Sequence, residues 1–156
     1  PELAVQDGAA APKTARRDVF LSARAWDADA LDDFRKNGSA LFEFDPRKLP
    51  LPAREKNRTV TNALLFVAER EAQTATATIK TATPGGLVIV KLKQNAAISN
   101  APPFAASPAF PASPLNALAG RSFDQVFSVQ LQKSGTADFT SAADVVLGLE
   151  YSADLA

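Results

Sequence analysis

The chain has 156 residues, 17 basic and 17 acidic side chains, and a formal net charge of zero. That length suits one domain, and the charge balance argues against nucleic acid as a partner, because phosphate binding needs a basic excess or stripe. His, Cys and Met are absent, which excludes disulfides, thiolate or imidazole zinc sites, and Ser-His or Cys-His catalytic pairs.

Residues 1–17 are Ala/Pro-rich without periodicity and are expected to form a tail or linker. The first residue is Pro1, not Met, as expected of a processed product or a piece of a larger protein. No basic segment followed by an apolar one marks a signal peptide, and no apolar run is long enough to span a membrane. Order is expected from Asp18, with a strand at Val19-Phe20-Leu21.

Ala25 to Gly38 predicts the one helix. Asp27 stands where a carboxylate accepts from the free N–H groups of the first turn. Acidic residues come early and Arg35-Lys36 late, which suits the helix dipole. Gly38 falls where a left-handed residue ends the helix, and Leu31 and Phe34 share one face.

Phe42 and Phe44 alternate with Leu41 and Glu43 in a strand that Asp45-Pro46 ends, and Leu49 to Pro52 reads as an extended loop. Asn57 to Glu69 predicts a long strand, with Val60, Leu64 and Phe66 on one side and Thr59, Thr61, Ala63, Leu65 and Val67 on the other. Gln73 to Thr81 alternates threonine with Ala75, Ala77 and Ile79, the pattern of a half-exposed strand. A turn at Thr83-Pro84-Gly85-Gly86 leads to a buried strand at Leu87 to Leu92.

Residues 100–114 contain five prolines and predict a long crossing loop within the domain of residues 18–156. Phe127, Val129 and Leu131 then oppose Ser128, Gln130 and Gln132. Ser141 to Asp144 suits one short helical turn, and Val145, Leu147, Leu149 and Tyr151 form one face of a last strand. Gly148 within it reads as a bulge or a point of close backbone approach. Seven or eight strands, one short helix and no βαβ rhythm predict an all-β antiparallel sandwich, jelly-roll-like.

Few residues invite chemistry. Asp27, Asp29, Asp32 and Asp33 lack calcium-loop spacing and read as a cap and a solvated face. Asp124, Asp138 and Asp144 lie near turns, where Asp138 or Asp144 would cap. Arg54, Lys56 and Arg58 are broken by Glu55 and Asn57 and make no basic stripe. Trp26 is the only tryptophan; it either stacks a sugar or is buried at the helix start. Phe104 and Phe110 stand in the stiff Pro-rich loop and either meet a partner or pin the loop to the sandwich. No catalytic, cofactor-binding or metal-binding residue is expected.

Three stretches together resemble the C-terminal β-sandwich region of the A subunits of toxin complex (Tc) insecticidal toxins. They are Phe20-Leu21-Ser22 with Asp29-Ala30-Leu31, Asn37-Gly38 and Phe42-Glu43-Phe44; Arg58 to Leu65; and Leu118-Ala119-Gly120 followed by Phe127 to Leu131 and Phe139 to Ala153. The resemblance implies a sandwich that helps assemble a larger subunit and engages a protein partner, with no catalysis and no site residue that carries over. The expectation is therefore a non-catalytic assembly or protein-binding module of a secreted or cell-surface protein. Its partners would be a protein or other domains of the parent chain, with a homo-oligomer possible and no nucleic acid. A carbohydrate-binding module, with a glycan as partner, is the alternative.

Overall fold

The computed structural model describes residues 13–68, 74–82, 85–93 and 117–155. Alternating side chains make two kinds of surface on each strand, and the apolar surfaces pair off in two antiparallel sheets. Among the described residues there are seven strands: β1 (Thr14–Ser22), β2 (Ser39–Phe44), β3 (Glu55–Ala68), β4 (Thr74–Ala82), β5 (Gly85–Lys93), β6 (Phe127–Lys133) and β7 (Asp144–Leu155). One sheet has the order β1-β7-β3 and the other β2-β6-β4-β5. Alternate assignment of β1, β2, β3 and β4 to the two sheets, with β6 and β7 returning between earlier strands, is jelly-roll wiring.

The core lies between the sheets. Phe42 and Phe44 stack with centroids 6.1 Å apart and share their face with Phe127, Val129, Leu131, Ala77 and Ile79. The opposing sheet contributes Leu21, Ala63, Leu65, Leu147, Leu149 and Tyr151 to the same buried cluster. Val145, Leu147, Leu149 and Tyr151 thus form one face, as their spacing predicts.

Two short helices lie where one is expected. Helix α1 (Ala23–Trp26) and helix α2 (Ala28–Asn37) meet at Asp27, whose backbone leaves the helical region at φ −153° and ψ 65°. Asp27 caps α2 by accepting from the Ala30 N–H at 3.3 Å, and Gly38 ends it in the left-handed conformation at φ 71°. The aliphatic chain of Lys133 lies against Gly38, where a Cβ would collide with it. Helix α1 is capped from across the chain: Asp144 accepts from the Arg24 N–H at 2.9 Å and from the Ser22 hydroxyl. Asp144 therefore opens β7 and ties it to α1, and no helical turn forms at Ser141 to Asp144.

Four further expectations are corrected. β1 begins at Thr14, not Asp18, because Thr14 to Arg17 pair with Asp154 to Tyr151 of β7. In β3 the alternation breaks: register shifts between Lys56 and Thr59 and between Val60 and Asn62, with Asn57 at φ 53°, put Val60 on the buried side with Ala63, Leu65 and Val67. Gly85 and Gly86 belong to β5, paired with Ala82 and Thr81, so only residues 83 and 84 connect the hairpin. Gly148 sits in unbroken register between Phe20 and Leu64, with no bulge.

The place beside β3 that an eighth jelly-roll strand takes holds a short bridge between Thr59 and Ser122. Val60 N–H donates to Arg121 O at 2.8 Å, Gly120 N–H to Val60 O at 2.7 Å and Phe123 N–H to Arg58 O at 2.9 Å. The bulged half of β3 is thereby satisfied on its outer edge. No described helix is long and apolar enough to cross a membrane.

Candidate functional site

Phe104 and Phe110 lie outside the described residues, as does the whole of 100–114. Trp26, at the end of α1, is half-buried and packs against the hydrophobic core.

The helix carboxylates are engaged locally where the structure gives them partners. Asp27 caps α2, and Asp32 pairs with Arg35 at 2.9 Å. Asp45 binds Arg47 through its side chain and backbone, and the Arg47 side chain holds the carboxyl below the usual range. Asp138 accepts from the Thr140 N–H and hydroxyl at 2.9 and 2.8 Å and has its pKa lowered by them. Among the described residues no three carboxylates gather as a metal site would require.

One carboxylate is buried inside the sandwich. The Glu55 side chain has no solvent exposure. It accepts from the Tyr151 hydroxyl at 2.7 Å, from Arg58 Nε at 2.9 Å and from Arg17 Nε. Arg58 also donates to the Pro52 carbonyl at 2.8 Å and to Asp124 at 3.3 Å. The Tyr151 ring lies against Phe123, centroids 4.2 Å apart. Burial is the largest single influence on Glu55 and pushes its pKa up, but the three donors together outweigh it and hold it at about 2. Burial, then the hydrogen bond to Glu55, pushes Tyr151 up to about 12. A general acid or base needs a pKa near the working pH. Glu55 stays ionised and Tyr151 stays protonated far on either side of neutrality, so the cluster fastens β1, β3, β7 and the 117–125 segment together.

A pair of carboxylates lies on the other face of the same sheet. Asp18 and Glu150 are cross-strand neighbours, and Asn62 continues the row. Thr61 donates its hydroxyl to Glu150 at 2.6 Å. Burial, then the Glu150 charge, raises the pKa of Asp18.

A shallow cleft of about 280 Å³ opens at the end of α2, lined by Arg35, Lys36, Lys133, Asp138 and Thr140 among others. Arg35 is committed there, donating to the carbonyls of Ala142 at 2.7 Å and Ala143 at 3.4 Å. The cations stand where the negative end of the α2 dipole favours them. That placement accounts for them without a ligand.

The outer face of the four-stranded sheet has a different character. Cross-strand partners make a row of Leu41 on β2, Gln130 on β6, Thr78 on β4 and Ile89 on β5. Leu41 is 50% exposed and Ile89 67%, the exposed large hydrophobics among the residues whose side chains are described. The row beside it runs Glu43, Ser128, Lys80 and Leu87; the row on the other side runs Ser39, Gln132, Thr76 and Lys91. Ser128 donates to Glu43 at 2.5 Å and Gln130 to Ser39 at 3.2 Å. The exposure of Ile89 corrects the expectation of a buried strand at Leu87 to Leu92: its register opposite Thr78 turns it to the outer face of the sheet, away from the core.

The chain matches no protein-family model, and no curated protein is significantly similar to it.

Proposed function

We propose that the chain is a non-catalytic assembly or protein-binding module that works through the outer face of its four-stranded sheet. The observation that carries this reading is the row Leu41-Gln130-Thr78-Ile89. Both exposed large hydrophobics fall on one uncharged line across a sheet face. The face carries an exposed apolar side chain on each of its two edge strands with Gln130 and Thr78 between them, and an open sheet face suits contact with another protein surface better than enclosure of a small molecule.

Two further points support it. The buried carboxylate is held far from a useful pKa by Arg17, Arg58 and Tyr151. The resemblance of the three sequence stretches to the sandwich of Tc toxin A subunits suggests a place within a larger toxin-like or surface protein, exported or held at the cell surface. The sugar-binding alternative draws less support, since Trp26 gives part of its surface to the core.

The test is photo-crosslinking in the full-length parent protein. A photoreactive residue at position 41 or 89 is expected to couple to another domain or subunit, and one at position 36 is not. Equal yields at all three positions would remove the face from consideration.

A further inference from the structure

We infer that Asn37-Gly38 is a self-modification site: the Asn37 side chain deamidates through the Gly38 backbone nitrogen, at a rate set by the opening of the last turn of α2. Asn37 ends α2 and is exposed. Of the asparagines at 37, 57, 62, 95, 100 and 116, the one at 37 alone is followed by glycine. A following side chain hinders approach to the backbone nitrogen; glycine, with no Cβ, leaves it open. The fold asks for glycine at position 38. Its φ of 71° is left-handed, and a Cβ there would collide with the Lys133 side chain. The cap that ends the helix therefore installs the reactive pair.

Water is the only other reactant. The Gly38 nitrogen, its proton taken by hydroxide, attacks Asn37 Cγ. The new N–Cγ bond closes a succinimide ring and the Cγ–Nδ2 bond breaks. Nδ2 leaves as ammonia after taking a proton from water, which restores the hydroxide. Water then adds across one of the two C–N bonds of the ring. Cleavage between Cγ and nitrogen gives aspartate. Cleavage at the main-chain carbonyl of Asn37 gives isoaspartate, whose backbone runs through Cβ and Cγ and is longer by a carbon. In sum, a carboxamide and a water become a carboxylate and ammonium.

Two hydrogen bonds surround the reacting nitrogen. Gly38 N–H donates to Phe34 O at 2.8 Å, and Lys133 N–H donates to Gly38 O at 2.7 Å. While the first holds, the nitrogen keeps its proton and points back along the helix, away from Asn37 Cγ. Attack waits for the last turn to open, and helix ends fray readily. The change runs one way. Aspartate at position 37 puts a negative charge at the negative end of the helix dipole. Isoaspartate displaces Gly38 along the chain, so that the bonds to Phe34 O and from Lys133 N–H no longer both form. The seam between the end of α2 and the end of β6 then opens, beside the cleft that Lys36, Gly38, Lys133 and Thr140 line. The site is a timer that loosens this seam with age.

Timed incubation of the 156-residue chain at mildly alkaline pH tests the inference, with peptide mapping for the single-dalton gain and for isoaspartate. The native chain converts at Asn37 ahead of Asn57 and Asn62. In guanidinium chloride Asn37 converts about tenfold to a hundredfold faster. Phe34→Leu, its fold confirmed by circular dichroism, loosens α2 and speeds native conversion by up to about tenfold. In the isoaspartate form, amide hydrogen exchange at Lys133 rises by about tenfold or more. Asn37→Gln stays unconverted, and its Lys133 amide stays protected through the same incubation. An Asn37 that remains intact in the native chain over about a hundred half-lives of the unfolded one overturns the inference. Equal speed in the two states, or unchanged exchange at Lys133 in the isoaspartate form, overturns it as well.

Discussion

Glu55→Gln destabilises the sandwich by about 3 kcal/mol at neutral pH, toward the lower end of the cost of removing one partner from a buried ion pair. The lower end applies because Arg58 keeps Asp124 and the Pro52 carbonyl, and because Arg17 is 47% exposed and reaches water. Tyr151→Phe keeps the ring against Phe123 but removes one donor, and costs about 1–2 kcal/mol. Urea unfolding midpoints measure both. The effect of Glu55→Gln also has a fixed pH dependence. The carboxyl of Glu55 sits at about 2 in the folded protein against 4.5 in the unfolded chain. Its stabilisation is therefore complete above 4.5 and lost as pH falls toward 2. The gap between wild type and Glu55→Gln should close over that window. A gap that stays constant down to pH 2 would show that Glu55 contributes through packing and not through its charge.

Phe34→Ala costs about 3–5 kcal/mol, the range for removing a fully buried aromatic ring. Phe34 is wholly buried. It meets Phe42 edge-on at 6.1 Å and Phe139 at 4.7 Å, so it joins α2 to β2 and to the turn before β7. A ten-residue helix cannot persist in water by its own propensity, and this ring, with the buried Leu31 and Ala30, holds α2 against the sheets. Phe34→Leu, which keeps most of the volume, costs less than about 1.5 kcal/mol. Denaturant midpoints should fall in that order with little change in slope. A loss below about 1 kcal/mol for Phe34→Ala would mean that α2 packs without it.

The features legible in the sequence are those decided by near neighbours. The cap at Asp27 and the left-handed Gly38 depend on residues within one helical turn. Phe42 with Phe44, Phe127 with Val129 and Leu131, and Val145 to Tyr151 each declare a face by strict alternation. What stayed hidden depends on distant partners. The side of β3 to which Val60 turns is set by bulges against β7 and by the bridge to Ser122. Glu55 looks in sequence like an interruption of a weak basic run. It is the acceptor of that run's own Arg58, and of Arg17 and Tyr151, which stand 38 and 96 residues away. Ile89 reads as core because five of the six residues of its run, Leu87 to Leu92, are apolar; its register opposite Thr78, between the buried Ala77 and Ile79, puts it on the outward face. The outer-face row has the same cause. Leu41, Gln130, Thr78 and Ile89 come from four separate strands, and register alone brings them into line.

The pairing of β1 with β7 also determines how the domain carries load. Thr14 lies opposite Asp154, so the beginning of the first described strand and the end of the last leave side by side. Tension applied at these two points acts along the hydrogen bonds between the strands, not along the strands themselves. The bonds then open in succession from that end, one pair at a time, as a zipper does, and the joint yields at low force. Single-molecule pulling between positions 14 and 154 would register this as gradual peeling; a high, abrupt rupture would contradict it. A module tethered in this way hangs from one corner and leaves the far sheet unstrained while its attachment gives.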